Sequence, residues 1–342
     1  MHPEFFEIPF FHLTIKSYGL MMVIGFLVAV TVIRHLSRHF TRDPQIITNA
    51  ALYALIAGVV GARMFFVLHY PAHFHNEPWW SVVAIWNGGL ELIGGVAAAI
   101  VVIVLYGRYH KVPIRHYLDV LAIGLTVALL FGRIGCFLNG CCYGKPTELP
   151  WGMRFPYGSF SYSSQVSPDL HRNRPQPYFT LPPEYFGYTN EKGEYFSDLK
   201  PAKYLTPQQR ELVTKGPYLA LPVHPTQLYS SAGAGLLGLI LYGFWRRARR
   251  AEALGRYALL TKPGSIFSLM FVLYGIMRFS IEMIRDDNPF EMAGLTIAQL
   301  LSIGLAGLGI LCAVYFTISK PEKLPAPMSK SELSPASKHH QN

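Results

Sequence analysis

This chain of 342 residues contains few charged residues. Only 15% of its residues are Asp, Glu, Lys or Arg, whereas 51% are hydrophobic. An average soluble domain has about 25% charged residues. The shortage therefore argues against a water-soluble protein and indicates one that lies in the lipid bilayer.

Several familiar patterns are also missing. Three of the four cysteines fall within seven residues and Cys312 lies alone in an apolar stretch, so a disulfide framework is not predicted. The first 16 residues carry Glu4 and Glu7 instead of a basic region followed by an apolar one, so no cleavable signal peptide is predicted. The 30 Lys and Arg residues outnumber the 20 Asp and Glu residues, but they occur in short clusters between apolar stretches. This arrangement indicates membrane topology and gives no support to nucleic-acid binding.

Long apolar stretches, in contrast, are plentiful. A helix needs about 20 mostly apolar residues to cross the hydrocarbon core of a bilayer. Seven stretches reach that length, at 17–33, 47–68, 85–106, 118–138, 225–245, 264–284 and 296–318. We therefore predict an all-α polytopic membrane protein with seven transmembrane helices.

The loops between these stretches alternate in charge. The loop after the first stretch holds Arg34, Arg38 and Arg42, and the loop after the fifth holds an arginine cluster at 246–256, whereas 69–84 contains neither Lys nor Arg. Because short basic loops stay in the cytoplasm, the pattern predicts an N-terminus outside the cytoplasm and a C-terminus inside it.

The connection at 145–222 is the exception to the short loops. It is rich in Tyr, Pro, Gly and charged residues, and long loops cross the membrane regardless of charge. We predict an extracytoplasmic head between helices 4 and 5, in which YFGYTNEKGEYF at 185–196 is either a β-hairpin or a loop. The domain organisation is then helices 1–4 at 1–144, the head at 145–222, helices 5–7 at 223–320 and a disordered cytoplasmic tail at 321–342.

Ionisable side chains inside the predicted spans are functional candidates, because each costs roughly 2.5 to 3.5 kcal/mol at the centre of an inserted helix. They are Arg63, Glu91, Arg133, Arg278 and Glu282. Two structural alternatives stay open. Arg63 could extend to the headgroups, and Arg278 and Glu282, four residues apart, could form an ion pair on one helix face.

Arg133 lies in the glycine-rich segment GRIGCFLNGCCYG at 132–144. Glycines allow a backbone or a ligand to approach closely, so this setting predicts an anion site. Helix packing is the alternative role for the glycines. The polar and glycine candidates of the segment are Asn139, Gly140 and Gly144.

Two further features are less specific. His224 opens HPTQLY at the outer end of the fifth span, where a lone histidine is more often structural than catalytic. Cys136, Cys141 and Cys142 fall within seven residues, and thiolates bind zinc or take part in redox chemistry. Their spacing matches no common zinc or redox motif, so the sequence favours small packing residues and predicts no metal.

Together these motifs resemble the prolipoprotein diacylglyceryl transferase family of bacterial inner membranes. The resemblance covers roughly residues 17–144 and 223–305, and the GR-G-x-F-x-N-G pattern is its most specific part. The matching segments are SYGLMMVIGF, GARMFFVLHY, WNGGLELIGG, Asp119, GRIGCFLNGCCYG, HPTQLY, YGIMRFSIE and LTIAQLLSI.

The resemblance implies a reaction. Family members transfer the diacylglyceryl group of phosphatidylglycerol to the thiol of the lipobox cysteine in a prolipoprotein, and they release glycerol phosphate. Arginines suit this chemistry because guanidinium groups give bidentate hydrogen bonds to phosphate.

Resemblance and position together nominate a set of site residues. The catalytic candidates are Arg133, Arg278, Tyr274 and Tyr18, and the substrate-binding candidates are Asn139, Gly140, Gly144, Arg63, Glu282, His224 and Glu91. No metal and no organic cofactor is implied. The expected partners are phosphatidylglycerol, prolipoprotein signal peptides and the bilayer of the bacterial inner membrane, with the N-terminus in the periplasm.

Three positions depart from the family pattern. Ile93 stands where well-known members carry a histidine, the proposed base for the attacking thiol. In the signature segment, GRIGCFLNGCCYG at 132–144, Cys141 replaces a glutamate of the family pattern and Cys136 replaces an asparagine. Without the imidazole, the thiol proton is expected to pass to water or to Glu91, helped by the positive field of the arginines.

Two other functions stay open at this point. The loss of the histidine is also expected of a homologue that binds anionic lipid without chemistry. The cysteine group is also compatible with a membrane thiol-redox protein.

Overall fold

The computed structural model describes residues 4–8, 13–41, 43, 45–74, 78–85, 89–190, 193–258 and 260–322. The predicted tail beyond residue 322 lies outside these ranges. Nine α-helices occur in the described residues: α1 Ser17–Ser37, α2 Gln45–His69, α3 Leu92–Tyr109, α4 Ile114–Asn139, α5 Phe160–Gln165, α6 Pro207–Thr214, α7 Thr226–Ala253, α8 Ser265–Glu282 and α9 Ile297–Ile318.

Six of the described helices are long and apolar enough to cross a bilayer, namely α1, α2, α4, α7, α8 and α9. Six predicted stretches are thereby confirmed as helices of membrane-spanning length. The third begins later than predicted, because Gly89 has a φ of 73°, which a helix does not allow, and α3 starts at Leu92. Its apolar part, Gly94–Tyr109, is shorter than the other six helices.

The surfaces of these helices are apolar. Leu236 and Leu239 on α7 are 60% and 70% exposed, and Leu311 on α9 is 69% exposed. Soluble proteins rarely expose large contiguous apolar patches, whereas lipid tails accept such side chains readily. These surfaces and the helix lengths identify a multi-pass membrane protein.

The chain is mostly helical, but it is not all-α as predicted. β1 (Glu4–Ile8) pairs antiparallel with β2 (Leu13–Lys16), and β3 (Phe186–Thr189) pairs antiparallel with β4 (Tyr195–Leu199). The second pair confirms the hairpin alternative for 185–196. The first pair was not predicted, because strands of four or five residues give only a weak periodic signal.

The chain divides into two compact units. The first consists of residues 1–29 and 121–318, and the second consists of residues 30–120 and 319–342. In the second unit α2 and α3 pack closely through glycines, since a Cβ on Gly61 would lie 2.4 Å from the Cβ of Ala98 and 2.7 Å from the backbone oxygen of Gly94. Gly94 of the WNGGLELIGG segment therefore serves helix packing.

The segment at 145–222, called the inserted segment below, belongs to the first unit and has its own hydrophobic core. Tyr162 and Tyr185 are fully buried there, and the hydroxyl of Tyr162 donates to the backbone oxygen of Tyr218 at 2.7 Å. A capping box at Thr206 and Gln209 starts α6. The other buried members of this core are Val166, Leu181, Leu205, Val213 and Ala220. This segment is therefore a folded element.

Small residues also set the contact between α8 and α9. A Cβ on Gly309 would lie 2.8 Å from the backbone oxygen of Ser268, and one on Gly275 would lie 2.6 Å from that of Ser302. Gly307, on the exposed side of α9, has nothing within 4 Å of the same position. Close approach here brings the start of α9 next to the end of α8.

A matched pair of substitutions tests this contact. Gly309→Val should lower the thermal midpoint of the detergent-purified protein by several degrees, because overpacking a helix contact costs typically 1–3 kcal/mol. Gly307→Val should leave the midpoint nearly unchanged. Equal midpoints for the two variants would contradict this description of the α8–α9 interface.

Candidate active site

The site begins where α4 ends. Asn139 is the last residue of α4, and the next residues turn the chain sharply, with φ of 76° at Gly140 and 62° at Cys142. Positive φ is easy for glycine and uncommon for other residues. The turn is fixed by a hydrogen bond from the backbone N–H of Cys141 to the backbone oxygen of Cys136, at 3.2 Å.

The segment after the turn lies between two other parts of the first unit. The backbone N–H of Gly144 donates to the oxygen of His224 at 3.0 Å, and that of Lys145 donates to the oxygen of Ile284 at 2.9 Å. A Cβ on Gly144 would lie 2.6 Å from the Cβ of His224. Glycine is therefore required here, because it lets the start of α7 and the end of α8 meet at the signature segment.

A cavity of about 320 Å³ opens beside this junction. Three arginines line it, one from α4 (Arg133), one from α8 (Arg278) and one from the loop after α8 (Arg285). The rest of the lining comes from Asn288, Pro289, Ile297, Ala298 and Leu301. Positive and apolar groups thus face the same space.

A buried carboxylate holds two of these arginines. Glu282 has a fully buried side chain, and its Oε2 lies 2.5 Å from Nη1 of Arg278 and 3.6 Å from Nη1 of Arg285. Its Oε1 accepts hydrogen bonds from the amide of Asn288 and from the hydroxyl of Thr296. The ion pair between Arg278 and Glu282, left open as an alternative from the sequence, is therefore formed, and its Arg278 lines the cavity.

The charges around the cavity do not cancel. Arg285 also makes a bidentate contact with Asp287, with Nε–Oδ1 and Nη2–Oδ2 distances of 2.8 and 2.6 Å. Burial lowers the pKa of Arg285, but the bonds to Asp287 outweigh this and leave that pKa above its ordinary value. These described residues comprise three guanidinium groups, on Arg133, Arg278 and Arg285, and two carboxylates, on Glu282 and Asp287. One positive charge is left to attract an anion.

Tyr18 and Tyr274, the two tyrosine candidates, lie near the arginines. Tyr274 lies within electrostatic range of both Arg133 and Arg278. Tyr18 lies near Arg133, and Gly135 leaves room for it, since a Cβ there would lie 3.2 Å from the ring of Tyr18. His224 takes part through its backbone, and its ring Nδ1 lies 3.3 Å from the hydroxyl of Tyr229.

Arg63 and Glu91 belong to the second unit. Arg63 donates to the backbone oxygens of Val82 at 2.8 Å and Gly89 at 2.9 Å. The carboxylate oxygens of Glu91 lie 3.1 Å from Nδ1 of His69. These contacts give both residues structural tasks, and their roles in substrate binding stay predictions.

Arg285 and the residues that hold its loop were not among the predicted site residues. Arg172, from the inserted segment, donates to the backbone oxygens of Arg285 at 2.6 Å and of Asn288. Asp286 lies 3.4 Å from Nε of Arg172 and 3.2 Å from Nη1 of Arg174. The available signal was the pair of arginines in HRNR at 171–174 opposite the acidic RDDN at 285–288. The inserted segment thus fixes one wall of the cavity.

Burial acts on the charge of Asp286 as well. It raises the pKa of this carboxyl, and the neighbouring Arg174 and Arg172 guanidinium groups offset only part of the rise. The carboxylate therefore depends on both arginines to stay ionised in its buried setting.

Removing that carboxylate charge should loosen the cavity wall. Asp286→Asn leaves two mostly buried arginines without their carboxylate, a change that costs about 3–5 kcal/mol for a buried ion pair. We expect a clear fall in thermal midpoint and weaker binding to phosphatidylglycerol vesicles. Asp198→Asn, at an exposed position of β4, is the matched control and should change neither. Parent-like behaviour of Asp286→Asn would show that the ion pairs do not hold the loop.

The three cysteines of the signature also converge. The Sγ atoms of Cys136, Cys141 and Cys142 all lie within 4.8 Å of one another. Nη1 of Arg133 lies 3.8 Å from Sγ of Cys142. The spacing of the cysteines in sequence does not reveal this convergence. The turn at Gly140 brings Cys141 and Cys142 back to Cys136, which lies five and six residues earlier in the chain.

Comparison with known proteins gives a consistent result. A family model described as prolipoprotein diacylglyceryl transferase matches residues 3–315. A phosphatidylglycerol--prolipoprotein diacylglyceryl transferase of Clostridium tetani is 26% identical over 310 residues, which cover 91% of this chain and 96% of that protein. Proteins of the same name from Aromatoleum aromaticum and Bdellovibrio bacteriovorus are 28% and 27% identical over 91% of this chain, and over 95% and 92% of their own lengths.

These matches extend over the cavity, the signature segment and the inserted segment alike. They confirm the resemblance that the motifs indicated, and with it the classification as a transferase enzyme. The chain belongs to the prolipoprotein diacylglyceryl transferase family.

Proposed function

We propose that this protein transfers the diacylglyceryl group of phosphatidylglycerol to the cysteine thiol of a prolipoprotein. The observation that carries the proposal is the cavity lined by Arg133, Arg278 and Arg285. Its unmatched positive charge suits a phosphodiester, which carries one negative charge. Its apolar lining from Ile297 and Leu301 suits the part of the lipid next to the headgroup.

The reaction needs little more than this cavity and a positioned thiol. The thiol gives up its proton to water, its sulfur forms a bond to the terminal glycerol carbon of the diacylglyceryl group, and the bond from that carbon to the phosphate oxygen breaks. The electron pair leaves with the phosphate. Arginines in a site of low dielectric stabilise this departing charge, and the hydroxyl groups of Tyr18 and Tyr274 are candidates to donate hydrogen bonds to it.

Glu282 has an indirect task in this scheme. It holds Arg278 and Arg285 side by side against their mutual repulsion, so its substrate-binding role is to orient the two guanidinium groups. Asn139, Gly140 and Gly144 act in the same manner through the backbone of the signature segment, which fixes Arg133 relative to α7 and α8.

The membrane arrangement follows from the charge pattern. We take α3, the third helix of the chain, as a span in addition to the six longer helices. The N-terminus and the 145–222 head then lie in the periplasm, and the C-terminus lies in the cytoplasm of a bacterial inner membrane. This orientation puts the end of α4, and therefore the cavity, toward the periplasmic leaflet, where a lipobox cysteine of an exported precursor arrives.

Substitution of the cavity arginines tests the transfer reaction. Arg133→Ala and Arg278→Ala should each lower the rate about 10²–10³-fold, the size of effect seen when one donor to a developing anion is removed. Lysine should restore only part of the rate, because it lacks the fixed fork of donors. The measurement is the mass gain of a lipobox peptide incubated with phosphatidylglycerol vesicles.

Arg247→Ala is the control, because Arg247 lies exposed near the end of α7 and away from the cavity. It should keep the parental rate. Full activity in both cavity variants would refute the phosphate-binding role. A parent that binds the vesicles but never modifies the peptide would instead indicate a lipid-binding homologue without chemistry.

Topology is open to a separate test. Reporters fused after His39 and after Gly255 should report a cytoplasmic location, and one placed at 190–193 should report a periplasmic location, because only the first two lie in short loops that hold basic clusters. A cytoplasmic signal from the position at 190–193 is incompatible with the seven-span arrangement.

A further inference from the structure

The cysteine cluster beside the cavity has the geometry of an open zinc site. A zinc ion lies about 2.3 Å from each thiolate ligand, which puts the sulfurs about 3.8 Å apart in a tetrahedron. The three Sγ atoms already lie within 4.8 Å of one another, so small side-chain rotations close the site. Three protein ligands with a free fourth position are typical of catalytic zinc, whereas structural zinc has four.

The surroundings suit a charged thiolate cluster. Three thiolates and one Zn²⁺ carry a net charge of −1, and Nη1 of Arg133 lies 3.8 Å from Sγ of Cys142. Arg285 also lies within electrostatic range of Cys142. The guanidinium groups of Arg133 and Arg285 therefore lie close enough to the cluster to stabilise thiolates there.

The backbone of the cluster is fixed from a second direction. The hydroxyl of Thr226 donates to the backbone oxygen of Cys142, and the amide of Gln227 donates to that of Cys141 at 2.7 Å. Cys136 is buried at the end of α4, whereas Cys141 and Cys142 are partly exposed. The cluster is thus held on its inner side and open on the other, which is where a fourth ligand would enter.

We propose that Cys136, Cys141 and Cys142 bind a Zn²⁺ ion, and that the incoming lipobox thiol becomes its fourth ligand. This inference rests on the proposed transferase function and names the group that prepares the nucleophile. Coordination to a metal deprotonates a thiol outright, so the proton is released to water and no imidazole base is required. The position of Ile93, where the family pattern has histidine, is then consistent with catalysis.

The step balances without any further reactant. The zinc-bound sulfur donates an electron pair to the glycerol carbon, and the carbon–oxygen bond gives its pair to the phosphate, which Arg133 stabilises. The product is a thioether. Because a neutral thioether is a far weaker zinc ligand than a thiolate, the product leaves the metal and the fourth position becomes free again. Neither zinc nor sulfur changes oxidation state.

Metal binding is measured first, and it does not depend on transfer activity. The full-length protein in lipid nanodiscs, reduced and stripped with a chelator, should bind one Zn²⁺ per chain. Cys136→Ser, Cys141→Ser and Cys142→Ser should each weaken binding at least tenfold. Cys312→Ser, the matched control in α9, should bind as the parent does. Parent-like binding by all three cluster variants, with thermal midpoints showing that they are folded, overturns the site.

The fourth ligand is detected with Cd²⁺, whose thiolate bonds absorb in the ultraviolet. A lipobox peptide added to the Cd²⁺-loaded protein should raise this absorption by about one third, because four thiolates replace three. The same peptide with serine in place of its cysteine should cause no rise. A rise of equal size with the serine peptide contradicts coordination of the substrate.

Transfer assays then separate this inference from the function on which it rests. The stripped protein should lose transfer at pH 7 and regain it with one equivalent of Zn²⁺. Full transfer by protein shown to be free of metal overturns the zinc role and leaves the transferase function intact. One Zn²⁺ per chain and the Cd²⁺ signal, without transfer under any condition, would support the site and refute the transferase function.

Discussion

The buried carboxylate of Glu282 is the contact on which the arginine cavity depends. Arg278 and Arg285 both lie against it, and without it their like charges would drive the two side chains apart in a setting where water screens them poorly. The hydrogen bonds from Asn288 and Thr296 occupy its other oxygen. A single side chain at the end of α8 thus sets the position of α8, of the loop after it and of the start of α9.

The sequence was sufficient for the parts of the fold that depend on hydrophobicity. Apolar length gave six helices to within a few residues of their ends, except that α4 and α7 extend further as polar helix. The i, i+4 spacing of Arg278 and Glu282 allowed their contact as one of two alternatives. The start of α3 was placed too early, because apolar length gives no sign of the positive φ at Gly89, just ahead of the helix.

The remaining parts of the site depend on contacts between distant segments. Arg285 looked like a loop residue, and its place in the cavity follows from Glu282 and from the backbone contacts of Arg172. The cysteines were compared with linear metal-binding spacings, and such spacings carry no information about a turn with two positive φ angles. Arg63 is the opposite case, since a membrane arginine predicted to meet substrate donates to backbone carbonyls of its own unit.

The hydrogen bonds from Arg172 to the backbone oxygens of Arg285 and Asn288 have a consequence for the order in which the protein folds during synthesis. The inserted segment precedes α8 in the chain and has its own core, so it can fold while the rest of the chain is still being made. The loop after α8 then arrives at guanidinium groups that are already in position. The cavity wall that this loop forms is therefore completed only after α8 has been made. A foreign segment placed between α4 and α7 would have to make the same hydrogen bonds to the backbone of Arg285 and Asn288 in order to hold this wall of the cavity in place.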